Sequence, residues 1–385
     1  MFNSSRISEF SNIPTPFYYY DMEILQNTLE IVKRESSKYG YHVHYAVKAN
    51  ANPTIMTKIQ SFGFGADCVS GNEIKRSLES GYPSNKIVYA GVGKSDQEIQ
   101  MALDSKIFCF NCESIPEMEL INELAEKSNK IAKIAIRINP NVNANTHHYI
   151  TTGVEENKFG ISRWEFDRVL EGLATYKNIE LIGLHFHIGS QITDLSVFKG
   201  LCIRINEIKQ WFADRQIFVD HINVGGGFGV DYKHPDKNPI PDFVTFFGIF
   251  NEFLELDPKQ ELHFELGRSM VAQCGSVISK VLYVKNGVKT KFAILDAGMT
   301  ELLRPALYQA YHKIENLSSN GEIENYDVVG PICESSDCFG KSVSLPATKR
   351  NDIMAIRSAG AYGEAMASRY NLREIAPSIF SNEMN

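Results

Sequence analysis

The chain has 385 residues, with 46 acidic against 39 basic for a net charge of −7, and 43% hydrophobic and 22% charged residues. Such a composition belongs to a packed globular protein with room for two or three folding units, and it excludes disorder and fibrous repeats. With no basic run or Lys/Arg stripe, nucleic acid and anionic membrane surfaces are excluded as electrostatic partners.

In chain order, PFYYYD (16–21) predicts a strand ahead of the first helix. From residue 40 to 268, eight short β-rich segments alternate with stretches of helical period: HVHYAV (42–47), GADCVS (65–70), IVYAG (87–91), IFCFN (107–111), IAKIAIRIN (131–139), LIGLHFHIG (181–189), VDHINVG (219–225) and ELHFEL (261–266). Between them NEIKRSLESG (72–81), SIPEMELINELAEK (114–127) and FVTFFGIFNEFLEL (243–256) repeat apolar residues three and four apart. Eight such repeats predict a closed (β/α)8 TIM-type barrel over 22–270, with an open doubly wound sheet as the alternative. After residue 270 the period falls to two in SVISKVLYVKNGVKTKFAILDAG (276–298), YDVVGP (326–331) and DIMAIRSAGAY (352–362). This predicts a mostly β domain over 271–385; the strand within 14–21 either pairs with it or stands alone.

Seven scattered cysteines, an odd number in a chain too large to need staples, read as reduced thiols. The opening MFNSSRISEF lacks an apolar signal core, so a cytoplasmic location is expected. Cys109 and Cys112 form a bare C-x-x-C inside an apolar strand, a poor setting for zinc or redox work.

Barrel active sites lie where the strands end, and polar residues gather there: Lys48, Asp67, Ser70, Arg137, Asn139, His187, Ser190, Gly225, Gly226, Gly227, Glu265 and Arg268. Lys48 ends an apolar strand; it is either a solvated loop lysine or a desolvated amine able to condense with a carbonyl group. The glycine run offers N–H groups unobstructed by Cβ atoms, suited to phosphate or to a turn. His185 and His187 share a strand face in this reading, a spacing that metal sites also use, but Asp67, Asp296 and His221 do not complete a ligand set. Glu265 must be paired or neutral; Arg268, Arg137 or a cationic ring would satisfy it. Loops around Cys333-Glu334-Ser335 and Gly360-Ala361-Tyr362-Gly363 present reactive or polar groups in the β domain.

Tyr45-Ala46-Val47-Lys48-Ala49-Asn50, His187-Ile188-Gly189-Ser190-Gln191, the triple glycine, Glu265-Leu266-Gly267-Arg268, Asp296-Ala297-Gly298-Met299, Arg304-Pro305-Ala306-Leu307-Tyr308, Cys333-Glu334-Ser335 and Tyr362 occur in that order. So ordered, they resemble the pyridoxal-phosphate-dependent decarboxylases of the alanine-racemase-like barrel class, most closely those acting on diaminopimelate. The resemblance implies pyridoxal 5'-phosphate carried on Lys48, with Asp67, His187, Ser190, Gly225, Gly226, Gly227, Glu265, Gly267, Arg268 and Tyr362 around it. It implies Cys333 as proton donor and Arg268, Arg304, Tyr308, Glu334 and Tyr362 as the grip on substrate. The implied reaction converts meso-2,6-diaminopimelate to L-lysine and CO2, the last step of lysine biosynthesis, in a homodimer with shared sites. Ornithine, arginine or carboxynorspermidine are the alternative substrates, and a metallohydrolase using His185 and His187 is the rival outside the family. Leu266 stands where the family usually has proline, and Arg369 where asparagine is common.

Overall fold

The computed structural model describes residues 2–142 and 158–384. The chain divides into two compact units, one of Leu29–Gly229 with Asp242–Gly267, the other of Met1–Thr28, Val230–Pro241 and Arg268–Asn385.

A first strand, β1 (Phe17–Tyr20), precedes the barrel strands of the former unit. These are β2 (His42–Ala46), β3 (Gly65–Cys68), β4 (Ile87–Tyr89), β5 (Cys109–Cys112), β6 (Ala132–Arg137), β7 (Ile179–His185), β8 (His221–Asn223) and β9 (Glu261–Leu266). They close into an all-parallel barrel in sequence order. All eight expected strands are present, and the closed barrel replaces the open-sheet alternative. Closure is made by β2 against β9, with His42 opposite His263, His44 opposite Glu265 and Tyr45 opposite Leu266. Phe264 alternates outward onto Phe246, Phe247 and Phe250 of helix Phe243–Phe253.

The strands are shorter than their apolar windows because the βα loops begin early. Ser70, read as part of a strand, is the N-cap of helix Gly71–Glu79 and accepts from the Glu73 N–H. Ser95 and Ser114 cap the next two helices in the same way. β7 stops at His185, so His187 lies beyond the strand rather than on a shared strand face with it.

The second unit carries β10 (Gly275–Asn286), β11 (Lys291–Leu295), β12 (Ile314–Asn316), β13 (Ile323–Val329), β14 (Cys338–Pro346), β15 (Ile353–Ile356) and β16 (Ser378–Phe380). The sheet runs β12-β15-β10-β11-β13-β14. β1 joins it, antiparallel to β10 and parallel to β16, so the N-terminal strand belongs to the C-terminal sheet. Phe10, Phe17, Tyr19, Ile278, Ile353 and Ala355 form its core there. β12, β14 and β16 had no counterpart in the periodicity. β12 and β16 span three residues each, and β14 has exposed neighbours without clean alternation.

Candidate active site

Lys48 sits in a single 3-10 turn, Val47–Ala49, directly after β2. The register that sets Ala46 beside Asp67 brings its Nζ to 2.5 Å from Asp67 Oδ2. Its side chain is 35% exposed, so the amine is ion-paired and reachable, not sealed away from water. Asp67 is fully buried and its Oδ1 has no partner. Burial, and then the negative charge of Glu265, push its carboxyl above the ordinary range against the pull of Lys48.

Glu265, inside the barrel, is satisfied by three side chains. Oε1 accepts from Asn111 Nδ2 and Asn223 Nδ2, both at 2.9 Å, and Oε2 lies 3.1 Å from His185 Nε2. Burial alone would raise its pKa, but His185 and Lys48 hold it well below the carboxylate range. Neither expected arginine partner is used: Arg137 pairs with Glu113 at 2.7 Å, and Arg268 donates to Tyr232 Oη at 2.7 Å. β5, β7 and β8 supply the contacts, while Arg137 at the end of β6 is already committed to Glu113. His185 therefore takes part in this hydrogen-bond network. Asn111, an amide in an otherwise apolar buried strand, was the overlooked signal. The flanking Cys109 and Cys112 are buried, and desolvation raises both thiols, leaving them unreactive.

The glycine run is shaped by close approach. Gly225 and Gly227 have φ of 69° and 99°, and a Cβ on Gly226 would collide with the Glu265 carbonyl oxygen. Its N–H groups are less available than expected: Gly225 donates to Asn223 Oδ1 at 2.9 Å and Gly226 to His187 Nδ1 at 3.2 Å. His187, held neutral by burial and the charge of Arg137, thus carries its proton on Nε2. Ser190 is half-buried between Gly189 and Gln191, both at positive φ. A Cβ on Gly267 would press within 3.0 Å of Ala46 and Ala49, so this glycine lets the backbone pack against the turn carrying Lys48.

In the other unit, Arg268 opens the short helix Arg268–Val271, and its guanidinium lies over the Tyr362 ring at 4.7 Å. Tyr362 adopts φ of 60°, a costly conformation for a bulky residue. Arg304 begins helix Arg304–Tyr308, donates to His312 Nε2 at 2.7 Å and lies 4.8 Å over the Tyr232 ring. Two buried guanidinium groups thus share Tyr232, which, with His312, was missed in the sequence because neither belongs to a recognisable spacing. His312 Nδ1–H donates to the Arg357 carbonyl, and burial together with Arg304 lowers its pKa to about 3. Tyr308 is half-buried on the same short helix. Cys333 and Glu334 are exposed. Their loop is anchored by Asp337, which accepts from the Met299 and Ile332 N–H groups, and Glu334 accepts from Tyr370 Oη at 2.9 Å.

The barrel unit therefore groups Lys48, Asp67, His187, Gly225–Gly227 and Glu265, an amine beside buried acids. The second groups Arg268, Arg304 and Tyr362, cations suited to a carboxylate, while Cys333 and Glu334 stand on a separate exposed loop.

A family model described as "Pyridoxal-dependent decarboxylase, pyridoxal binding domain" matches residues 25–272. The chain is 59% identical over 379 residues, 98% of both chains, to the diaminopimelate decarboxylase of Bacteroides thetaiotaomicron. It superposes with a TM-score of 0.91 at 38% identity on the Helicobacter pylori diaminopimelate decarboxylase complexed with L-lysine, covering 97% of this chain and 93% of that one. A lysine/ornithine decarboxylase from Vibrio vulnificus, complexed with putrescine, shares the fold at 20% identity and a TM-score of 0.86.

Proposed function

The chain belongs to the pyridoxal-dependent decarboxylases, among the diaminopimelate decarboxylases, and on that premise we propose that it converts meso-2,6-diaminopimelate to L-lysine and CO2 with pyridoxal 5'-phosphate as cofactor. The observation that carries the substrate is the pair of buried guanidinium groups, Arg268 and Arg304, beside Tyr232. A substrate with two amino-acid heads has carboxylates for both; ornithine, arginine and carboxynorspermidine offer no second α-carboxylate.

The residues fit the cofactor. A reachable primary amine stands at one strand end, and a buried carboxylate held ionised by two amides and a histidine at another. When bound, the cofactor supplies an electron sink for the pair left behind as CO2 departs. Lys48 would hold it covalently, and Glu265, anionic at neutral pH, would keep a proton on the pyridine nitrogen. Neutral His187 offers a flat ring, while Ser190, Gly227 and the backbone at Gly267 and Arg268 would take the phosphate. Asp67 would orient the Lys48 amine, and Tyr362 would border both cofactor and substrate. Arg268, Arg304 and Tyr308 would grip substrate carboxylate, Glu334 the distal ammonium, and Cys333 would deliver the proton that replaces CO2. The metallohydrolase reading is disfavoured because His185 Nε2 faces Glu265 and His187 Nδ1 accepts from Gly226.

Among the described residues no helix is long and apolar enough to cross a membrane; a cytoplasmic setting is part of the proposal. So is the functional division into a cofactor-binding barrel, 22–270, and a completing β domain, 271–385 with the strand at 14–21. The exposure of Cys333 and Glu334 supports a homodimer in which one subunit's barrel works with the other's β domain.

Carbon dioxide release from diaminopimelate, ornithine, arginine and carboxynorspermidine tests the substrate: diaminopimelate should exceed the others by at least about a hundredfold, as expected for loss of a charged pair in a closed site. Equal rates would overturn it. Mixing inactive Lys48→Ala and Cys333→Ala proteins tests the assembly. Random exchange makes half the dimers mixed with one intact site each, restoring roughly a quarter of wild-type activity. No recovery after confirmed exchange would place each site within one chain.

A further inference from the structure

At the opposite mouth of the barrel, where strands begin, His42, Glu261 and His263 converge. His42 Nε2 lies 3.7 Å and His263 Nε2 3.5 Å from Glu261 Oε2, and the three ligand atoms fall within 4.8 Å of one another. They line a cavity of about 470 Å³ with His44, Lys86 and Phe108 among its walls. None belongs to the site described above.

The hydrogen-bond order around His263 determines what its free nitrogen can do. The Lys86 carbonyl can only accept, so His44 Nδ1, at 3.1 Å, carries a proton and donates to it. In a neutral ring His44 Nε2 is then an acceptor, and its 2.9 Å partner, His263 Nδ1, must be the donor. The neutral His263 therefore directs the lone pair of Nε2 toward the Glu261 carboxylate. That nitrogen is buried, in a residue 3% exposed, and has no hydrogen-bond partner. A lone pair facing an anion is an unsatisfied arrangement that a cation completes. The Lys86 carbonyl fixes the His263 tautomer through His44, which holds the second nitrogen of this ligand as the outer shell of a metal site does.

We propose that His42, Glu261 and His263 bind one divalent transition-metal cation of the zinc class at the lower mouth of the barrel. Two imidazoles and a carboxylate are a borderline donor set suited to zinc, with solvent completing the coordination. Bonds of about 2.0–2.1 Å to a tetrahedral ion put ligand atoms about 3.4 Å apart. His263 is held by its relay, whereas exposed His42 and Glu261 can close the remaining gap, His42 by tilting off its stack on His263. The ion would tie the first barrel strand to the last, across the β2–β9 seam where His42 and His263 are register partners. Its role is a staple on barrel closure.

The test uses untagged holoenzyme treated with chelator and then titrated with zinc chloride, following bound metal per chain, melting temperature and decarboxylation rate. One zinc per chain should bind and raise the melting temperature by about 3–5 °C at a hundredfold excess over Kd. The rate at one equivalent should stay unchanged. His42→Ala and Glu261→Gln, both at the exposed rim, should weaken zinc binding at least about tenfold and abolish the thermal shift, with activity retained. Failure to bind zinc in the wild-type chain overturns the proposal. So does undiminished binding in both variants, which would move the metal elsewhere, for instance to the exposed Cys333 thiol.

Discussion

In the barrel unit the candidate site hangs from strand ends and the residues just after them, while in the second unit it stands on short helices and loops. Lys48 follows β2, Asp67 lies one residue before the end of β3, and Glu265 is tied to β5, β7 and β8. Arg304 starts a five-residue helix, Tyr362 occupies a left-handed position in a loop, and Cys333 and Glu334 are exposed. In the barrel half Glu265 is matched by donors on β5, β7 and β8, and Asp67 by Lys48 through one oxygen. The other half holds buried cations, with an exposed thiol and carboxylate on a separate loop. Rigid strand ends suit a cofactor whose position must not vary, and loops suit a substrate that must enter and leave.

Breaking the barrel half should have the largest effect. Lys48→Ala should lose nearly all activity and the covalently bound chromophore. Borohydride reduction of the wild type should leave the cofactor on the Lys48 peptide, and labelling of another lysine would erase the distinction between the two halves. Glu265→Gln should cost about a hundredfold or more in kcat, the size of a lost acid–base contribution, and should alter the cofactor spectrum. An unchanged spectrum would mean Glu265 does not face the ring.

Breaking the loop half should spare the cofactor. Arg304→Ala and Glu334→Gln should lower kcat/KM for diaminopimelate by about ten- to a hundredfold, since a charged hydrogen bond contributes about 1.5–3 kcal/mol. Their absorbance spectra should match the wild type. Loss of cofactor from both would show that the halves are not separable.

The smallest expected effect concerns His312. Its folded pKa, about 3, lies below the roughly 6.5 of an unfolded histidine. Above pH 6.5 both states hold it neutral and its contribution is whole. As pH falls from there toward 3, the unfolded chain binds a proton that the fold refuses, so stability drops by up to about 1.4 kcal/mol per pH unit. His312→Gln keeps an acceptor for Arg304 without titrating. Its melting temperature should therefore fall less between pH 7 and 5 than that of the wild type, by about 2–4 °C. Parallel curves would show that the ring is already charged in the fold.

The amino-acid sequence by itself determined the eight barrel strands, the change to a β-rich region after residue 270, and the residue types at the strand ends, including Lys48 and Glu265. Apolar periodicity and ordered motifs are local properties, readable without knowing neighbours. Only the tertiary structure decided that Glu265 meets Asn111, Asn223 and His185 instead of an arginine. It alone showed that Gly225 and Gly226 commit their N–H groups to side chains, and that β1 pairs with β10. It also set His42 beside His263. Apart from the Gly225–Asn223 bond, each of these joins residues far apart in the chain, and which residues meet is settled by closing the barrel and sheet as wholes, not by any one segment's pattern.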